Sequence, residues 1–263
     1  MNKLILLTIS LMLFFTTAYS NNPLNTEKLN YKKKENACFE KYKNSDFNAA
    51  MPLCRTASKL GSADATLMVG LMLGSPHLKY REKKKSLQLI KKAADNGSNP
   101  ARILLGIFYY RGMYFRKNIN KARFWFKKAI DDKDPFGVIY MAYSYWTSDK
   151  IHACELLLKM NQKKNWRKSK NIFYHDILDR MLGTCYQHGY YTTQNREKAL
   201  KYFTLAANKG DAVAAYRVAQ CYHYGIGTPV DIKKAVFWYK KSVDMGFKPA
   251  YDFYLRLRTT HEK

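Results

Sequence analysis

The sequence repeats itself at an interval of 36 residues, and this period limits the fold more than any other feature. A repeat of that length is one supersecondary unit, and its apolar face is buried only when neighbouring units stack on it. Small residues recur at this interval in three series: Gly70, Gly106 and Ala142; Gly183 and Ala219; and Gly210 and Gly246. The chain therefore favours a stack of similar units over a single globular core.

Each unit contains two apolar stripes at the spacing of a helix, separated by a loop that contains glycine. The pattern is clearest in residues 99–134, 175–210 and 211–246. It predicts pairs of antiparallel helices. Small residues stand in the first helix at Gly106, Gly183 and Ala219. We expect each of them to let the second helix pack close, since glycine is otherwise unfavourable inside a helix.

The second helices share a start signal. An Asp or Asn lies four residues before an Ala in five places: Asp46 and Ala50, Asn118 and Ala122, Asp149 and Ala153, Asn195 and Ala199, and Asp231 and Ala235. A short acceptor side chain at such a position caps the free backbone N–H groups of the first turn. The alanine one turn later leaves room for the partner helix. Five agreeing instances predict five second helices in the same register.

At these residues the sequence resembles the Sel1-like repeat family, a relative of the tetratricopeptide repeats. In the unit 99–134 the family pattern is matched by Leu105, Gly106, Tyr109, Gly112, Lys121, Ala122, Trp125 and Phe126. In the unit 175–210 it is matched by Leu182, Gly183, Tyr186, Gly189, Lys198, Ala199, Tyr202 and Phe203. In the unit 211–246 it is matched by Tyr222, Gly225, Gly227, Asp231, Lys234, Ala235, Trp238 and Tyr239. The unit 63–98 is a weaker match that keeps Gly70 and the run from Lys92 to Ala94.

The resemblance implies an all-α fold, a right-handed α-solenoid of antiparallel helix pairs that serves protein–protein contact without catalysis. The resemblance and the sequence pattern together predict this order along the chain: a signal peptide over 1–20, an N-terminal extension over 21–34, an N-terminal helix hairpin over 35–60, repeats over 61–98 and 99–134, a degenerate repeat over 135–160, a basic insertion over 161–174, repeats over 175–210 and 211–246, and a C-terminal helix over 247–263.

The first twenty residues have the features of an export signal. Lys3 gives a positive start, and an apolar run extends from Leu4 to Phe15. Ala18 and Ser20 supply the small residues of a signal-peptidase site. We expect cleavage after Ser20 and a periplasmic or secreted mature protein without a membrane span. The run is short for a membrane-spanning helix, which needs about 20 apolar residues, and a retained N-terminal anchor is the alternative.

The chain is strongly basic, with 46 Lys and Arg against 20 Asp and Glu and a formal net charge of +26. Lysine pairs that begin at Lys91, Lys127 and Lys240 occupy equivalent places on the second helices. Stacking would align them into an interrupted basic ridge, which favours an anionic partner. Outside the cytoplasm we expect an acidic protein rather than nucleic acid. The alternative is that the lysines only solvate the surface, since lysine at these positions also belongs to the family pattern.

The regular spacing breaks near residues 161–174. Ala153 and Ala199 are 46 residues apart, ten more than the repeat. Insertions of this kind map to loops on one face of a stack, often the binding face. Candidate partner-binding residues in this insertion are Lys163, Lys164, Trp166, Arg167 and Lys168. The alternative is a solvated linker that only interrupts the stack.

The sequence lacks the motifs of the common enzyme classes. It contains no H-E-x-x-H, no G-x-S-x-G, no P-loop and no zinc-binding spacing. His188 and His223 hold nearly the same place in neighbouring units, and we interpret them as loop histidines rather than as metal ligands. A cysteine-paired branch of the family is linked to β-lactam binding or hydrolysis, but Ala94, Ile130 and Ala207 stand where its cysteines belong. We therefore expect no enzyme, no cofactor and no metal.

The five cysteines predict one disulfide. Cys38 lies eight residues before the cap Asp46 and Cys54 eight residues after it, so both reach the same level of an antiparallel hairpin. We expect these two to pair. Cys185 and Cys221 occupy equivalent places on neighbouring first helices, where we expect buried, unpaired thiols, and Cys154 is left over.

Taken together, the sequence predicts an exported, monomeric, non-enzymatic repeat protein that holds an acidic protein partner. An immunity protein for an envelope-active toxic effector and a secretion or virulence accessory both fit this description. Two alternatives stay open. One is a β-lactam-acting enzyme of the cysteine-rich branch, and the other is an envelope adaptor that binds anionic lipid or polymer through its basic face.

Overall fold

In a computed structural model, which describes residues 26–75, 82–162 and 175–261, the protein is helical and these residues form no strand. The α-helices run in this order: α1 Thr26–Lys43, α2 Phe47–Lys59, α3 Ala63–Gly74, α4 Lys83–Asp95, α5 Asn99–Arg111, α6 Ile119–Asp131, α7 Pro135–Tyr145, α8 Lys150–Gln162, α9 His175–His188, α10 Arg196–Asn208, α11 Ala212–Tyr224, α12 Ile232–Asp244 and α13 Tyr251–His261. A short 3₁₀ helix, Lys248–Ala250, precedes α13.

The chain forms two compact units, one up to Ser144 and one from Tyr145 onward. In the first unit, α1 pairs with α2, α3 with α4 and α5 with α6, and each pair stacks on the next. In the second unit, α9 pairs with α10 and α11 with α12, while α8 contacts α9 and α13 contacts α12. The fold is thus the α-solenoid of helix pairs that the 36-residue period predicts.

The core of the first unit is built on two apolar first helices. In α3 every residue from Ala65 to Leu73 is buried, because α2 and α4 cover it and α1 also contacts it. Leu104 and Leu105 on α5 join the same cluster, which also contains Cys38 and Trp125. Burial of such side chains stabilises a fold by about 1.5–3 kcal/mol each.

The core of the second unit includes two smaller clusters on α10, α11 and α12. Phe203 on α10 packs with Val218 and Cys221 on α11. Tyr239 on α12 packs with Ala219 and with Ala250, which precedes α13. Both large rings are fully buried.

The small residues of the first helices allow close helix packing. A Cβ atom at Gly106 would overlap the ring of Phe126 on α6. A Cβ atom at Gly183 would lie 2.6 Å from the ring of Phe203 on α10. The prediction that these positions make room for the second helix is confirmed, and in both repeats the space is filled by a phenylalanine.

The five predicted caps are present. The side chains of Asp46, Asn118, Asp149, Asn195 and Asp231 each accept a hydrogen bond from the backbone N–H three residues later, at 2.8–3.1 Å. Three first helices have caps of the same kind at Ser62, Ser98 and Asp211. Ser62 and Ser98 are 36 residues apart, so the sequence supplies these two short acceptors at the repeat period as well.

The structure differs from the expected boundaries at the N-terminus. The helix α1 begins at Thr26, inside the predicted extension over 21–34, and not at residue 35. The predicted signal peptide with its cleavage site after Ser20, and the insertion from Lys163 onward, lie outside the described residues. Among the helices that the structure describes, none is long and apolar enough to cross a membrane.

Candidate functional site

The N-terminal helix pair is closed by a disulfide. Cys38 on α1 and Cys54 on α2 are bonded, with their Cα atoms 5.0 Å apart, and both are fully buried. This is the pairing that the hairpin geometry predicts. The turn between the two helices places Ser45 in the left-handed region at φ +60°.

A second disulfide joins Cys154 on α8 to Cys185 on α9, with Cα atoms 5.7 Å apart. The expectation that Cys185 would be an unpaired thiol and Cys154 the odd cysteine is therefore wrong. That expectation compared Cys185 with Cys221 on a neighbouring first helix. A first helix also packs against the second helix of the preceding repeat, and Cys154 lies on that helix.

The position of this disulfide recurs in other repeats with different chemistry. Cys154 lies five residues after its cap Asp149, and Cys185 lies two residues after Gly183. Counted in the same way, equivalent pairs include Arg123 with Ser144 in the first unit and Leu200 with Cys221 in the second. We call these three pairs the inter-repeat contact.

Each member of the inter-repeat contact links a second helix to the next first helix. The Arg123 side chain donates to the hydroxyl of Ser144 at 3.0 Å and to its carbonyl oxygen at 3.1 Å. Leu200 packs against the buried cluster that contains Cys221. Burial raises the pKa of the Cys221 thiol to about 11, so this cysteine stays protonated and unreactive at neutral pH.

The predicted basic positions on the second helices face solvent. Lys91 on α4 and Lys127 on α6 are exposed in the first unit, and Lys240 on α12 is exposed in the second. Lys240 lies 3.0 Å from the Asp244 carboxylate, so part of its charge is compensated. Among the candidate partner-binding residues, Lys163, Lys164, Trp166, Arg167 and Lys168 lie outside the described residues.

The lysine that follows Lys127 or Lys240 has a packing role. Lys128 lies 4.9 Å from the ring centroid of Trp125, and Lys241 lies 4.5 Å from that of Trp238. Such cation–π contacts are a property of the repeat. In these two pairs the second lysine therefore lies over an aromatic ring, whereas the first is exposed.

An open depression of about 540 Å³ lies at the loop between α5 and α6. Its lining combines aromatic and cationic side chains: Tyr109, Phe115, Arg116, Lys117, Asn118 and Lys121. Lys121 lies 5.5 Å from the Tyr109 ring, and the same contact occurs between Lys198 and Tyr186 and between Lys234 and Tyr222. Because it recurs in three repeats, this contact stabilises the helix pair and does not mark a ligand site.

The two loop histidines have separate surroundings. His188 stacks on Tyr190, with ring centroids 5.3 Å apart. His223 stacks on Tyr224 and lies 3.4 Å from the hydroxyl of Tyr239. Burial lowers the pKa of both imidazoles, which favours their neutral forms. Within residues 26–75, 82–162 and 175–261 no group of three His, Cys, Asp or Glu side chains could hold a metal ion.

Two carboxyl groups of the first unit are unusual in their burial. Burial raises the pKa of Asp64 on α3 to about 6, and a hydrogen bond from Ser98 offsets part of that effect. One oxygen of Asp64 is buried without a hydrogen-bond partner. Burial also raises the pKa of Asp134, the residue before α7, to about 6. As buried charges, these two carboxylates lower the stability of the first unit at neutral pH.

The loop between α9 and α10 carries two adjacent tyrosines. Tyr190 lies near Lys150, whose ammonium group is 5.9 Å from the ring centroid. Tyr191 lies near Lys159, at 5.7 Å, and is 47% exposed. Its backbone adopts φ +57°, in the left-handed region. Sequence reasoning missed this residue, although it stands where the family pattern has its second glycine.

Comparison with known proteins finds Sel1 repeats in this chain. The profile described as Sel1 repeat matches residues 63–98, 99–134, 180–211 and 212–247, which together make up more than half of the chain. Of the curated proteins, DAP3-binding cell death enhancer 1 from Rattus norvegicus is 42% identical over 65 residues, a quarter of this chain (25%). This chain spans 12% of the length of that relative.

Two solved structures share the fold. A Sel1 repeat protein from Oxalobacter formigenes aligns with a TM-score of 0.70 at 22% identity, covering 84% of this chain and 86% of the other. A protective antigen with an SLR fold from uropathogenic Escherichia coli aligns with a TM-score of 0.66 at 18% identity, covering 88% and 48%. At this level of identity the likeness concerns the fold alone.

Proposed function

The chain belongs to the Sel1 repeat family, and from that membership we propose that it is an exported, non-enzymatic scaffold that binds an acidic protein partner. Sel1 repeats generally serve as non-catalytic scaffolds for protein–protein contact. The observation that carries the proposal is the stack of helix pairs itself. Stacked repeats of this kind form extended surfaces that serve to bind partners.

The charge supports an acidic partner. A net charge of +26 creates a positive field that accelerates encounter with an anionic surface. Lys91 and Lys127 add exposed cations to the second helices of the first unit. The rat relative is named for binding another protein, which accords with a binding role here.

The proposal includes a location. Cleavage after Ser20 releases a mature chain that starts at Asn21 in the periplasm or outside the cell. Two disulfides fit an oxidising compartment. Mass spectrometry of the protein from fractionated cells should find Asn21 as the first residue, whereas a chain that keeps residues 1–20 would favour the retained anchor.

The binding proposal is tested with the full mature protein. Cross-linking in the envelope fraction identifies a partner, and calorimetry with the purified partner then gives the affinity at several salt concentrations. We expect an acidic protein that binds a monomer of this chain. Its affinity should fall as the salt concentration rises, because exposed charges are screened over about 8 Å at physiological ionic strength. Binding to anionic vesicles or envelope polymer in place of a protein would support the adaptor alternative instead.

Charge reversal locates the contact. Reversal of Lys163, Lys164, Arg167 and Lys168 together should weaken capture if the insertion takes part. The matched control reverses four exposed lysines of α1 and α2, namely Lys33, Lys34, Lys43 and Lys59, and changes the net charge equally. Equal effects of both variants would show that the net charge alone determines binding. If neither variant weakens binding, that result would contradict an acidic partner.

Two finer roles fit this scaffold. An immunity protein would neutralise a toxic envelope-active effector on mixing, whereas a secretion or virulence accessory would change the export of its partner. A lipase or toxin gene next to this one would favour the first role, and secretion genes would favour the second. Hydrolysis of a β-lactam or ester that disappears on substitution of one Ser or Cys would contradict the non-enzymatic proposal.

A further inference from the structure

The loop between α9 and α10 has a tyrosine where a neighbouring repeat needs glycine. Gly189 and Gly225 end α9 and α11 in the left-handed region, at φ +71° and +68°. Two residues further on, Tyr191 and Gly227 are again equivalent, at φ +57° and +74°. A side chain with Cβ is strained in this region, and glycine is not. The fourth repeat therefore keeps an unfavourable residue at this position.

Packing inside the protein does not explain the tyrosine. Tyr191 is 47% exposed, so the residue is only partly covered by the rest of the protein. Its neighbour in the structure is the Lys159 ammonium group, on a side chain that is itself exposed and also pairs with Glu155 at 2.7 Å. A contact of that kind stabilises a fold little. The strain at Tyr191 is thus offset by only partial burial in the isolated chain.

The surroundings of Tyr191 combine aromatic and cationic groups. Tyr190 and Tyr191 reach opposite ends of α8, where Lys150 and Lys159 lie close to their rings. Nine residues separate the two lysines, which corresponds to about 13 Å along a helix. His188 stacks on Tyr190 and completes the patch, and Glu155, which pairs with Lys159, is its acidic neighbour. We call these five side chains around α8 the tyrosine patch: Lys150, Lys159, His188, Tyr190 and Tyr191.

We propose that the tyrosine patch docks an acidic segment of the protein partner. This inference rests on the proposed function and names the surface that carries it. Tyrosine rings supply apolar contact area at low entropic cost and are frequent among the residues that dominate binding. Their hydroxyl groups donate to carboxylates, and Lys150 and Lys159 pair with the same groups. Charge complementarity therefore selects a segment that mixes carboxylates with apolar side chains.

The inference predicts opposite effects of one substitution. Tyr191→Gly relieves the left-handed strain and removes the ring. The variant should have a higher melting temperature than the wild type, and its affinity for an acidic aromatic polypeptide should fall roughly tenfold. Tyr191→Phe keeps the ring and should retain most of the affinity. Phe237→Ala, which removes a ring of the second unit that is 59% exposed on α12, is the matched control and should bind like the wild type.

The probe is a fluorescein-labelled random copolymer of glutamate and tyrosine, titrated by anisotropy against the full mature protein. Vesicles of phosphatidylglycerol serve as a second probe. A wild-type protein that binds the vesicles but not the copolymer overturns an acidic protein segment as the occupant. Equal copolymer affinity of Tyr191→Gly and the wild type overturns the tyrosine patch, and so does a lower melting temperature of this variant.

The same variants separate this inference from the scaffold proposal. If the cross-linked partner binds Tyr191→Gly as tightly as the wild type, while its affinity still falls with salt, the scaffold stands and the tyrosine patch is wrong. If no protein partner binds the wild type, the scaffold proposal itself fails. A loss of partner binding in Tyr191→Gly, with binding retained in Phe237→Ala, supports both.

Discussion

Lys209 reaches the fully buried carboxylate of Asp179, and the two charged atoms lie 2.6 Å apart. The equivalent positions in another repeat are held by Asp132 and Arg102, which also form an ion pair. The charges are therefore exchanged between the repeats while the contact is kept. In both cases the ion pair joins the start of a first helix to the end of its second helix. A cation at that end also interacts favourably with the free carbonyl groups of the helix. Arg102 in addition donates to the carbonyl oxygens of Ala94 and Lys128.

Removal of Lys209 should destabilise the second unit because it breaks the ion pair with the buried Asp179 carboxylate. We expect Lys209→Met to lower the free energy of unfolding by about 1–3 kcal/mol. Asp179→Asn in the Lys209→Met background should recover part of that loss, since the buried position then carries no charge. Urea unfolding of the four members of this double-mutant cycle gives the coupling energy. Additive effects would contradict the coupling.

Mild acidification should stabilise the first unit, and only stronger acidification should destabilise it. Asp64 and Asp134 have pKa values of about 6 in the fold, above the value of about 3.9 for an unfolded chain. The folded state thus binds protons more tightly, and the free energy of unfolding rises as pH falls from 7 through 6. Asp64→Asn should raise that free energy at pH 7 by about 1–2 kcal/mol, which allows for the partial exposure of the carboxyl group.

The pH dependence separates this effect from a general one. Asp64→Asn should show a smaller rise in unfolding free energy between pH 7.5 and 5.5 than the wild type. The exposed residue Asp131 supplies the control, and Asp131→Asn should keep the wild-type dependence. Urea unfolding followed by circular dichroism at both pH values measures the difference. A wild-type protein that loses stability over this range would show that burial of the two carboxyl groups is not the dominant cost.

Thiol labelling checks the two disulfides directly. Unreduced protein, unfolded in the presence of iodoacetamide, should carry one label, on Cys221, because the other four cysteines are bonded. Reduction should lower the melting temperature. In the chain-entropy model, loops of 16 and 31 residues contribute roughly 3 and 4 kcal/mol. A label on Cys38 or Cys154 in the unreduced protein would show that the corresponding pairing is wrong.

A third disulfide should form when the inter-repeat contact is completed. Leu200 holds the position of Cys154 and Cys221 holds that of Cys185, so Leu200→Cys places two thiols in the geometry of an existing bond. The oxidised variant should carry no free thiol after unfolding. Lys201→Cys, one residue away on the exposed face of α10, is the control and should leave Cys221 unpaired. Pairing in the control but not in Leu200→Cys would contradict the equivalence.

Much of the fold could be predicted from the sequence because its determinants are local. Asn118 and Asn195 cap their helices through bonds to the backbone three residues later. Gly106 is detectable as a departure from helix propensity, and the reason for it is a ring of the partner helix. Such features recur at a fixed interval, so each repeat supports the interpretation of the others.

The remaining features depend on which helices lie side by side. Cys154 could be paired with Cys185 only by placing a second helix against the following first helix. Lys127 and Lys128 have different roles because consecutive residues of a helix point in different directions. Lys127 faces solvent, whereas Lys128 lies over the Trp125 ring. The sequence does mark Tyr191, because a bulky residue stands there in place of a glycine of the family pattern. Lys163, Lys164, Trp166, Arg167 and Lys168 stay a prediction.

The bond between Cys154 and Cys185 turns the intervening chain into a closed covalent ring with two tails. A protease that cuts within this ring opens the polypeptide but releases no fragment, since both halves remain joined through sulfur. The basic insertion, with its many lysines, lies inside the ring and is the kind of segment that trypsin-like enzymes attack. A nick there would become visible only after reduction. In an oxidising compartment the repeats on either side thus do not depend on an unbroken backbone.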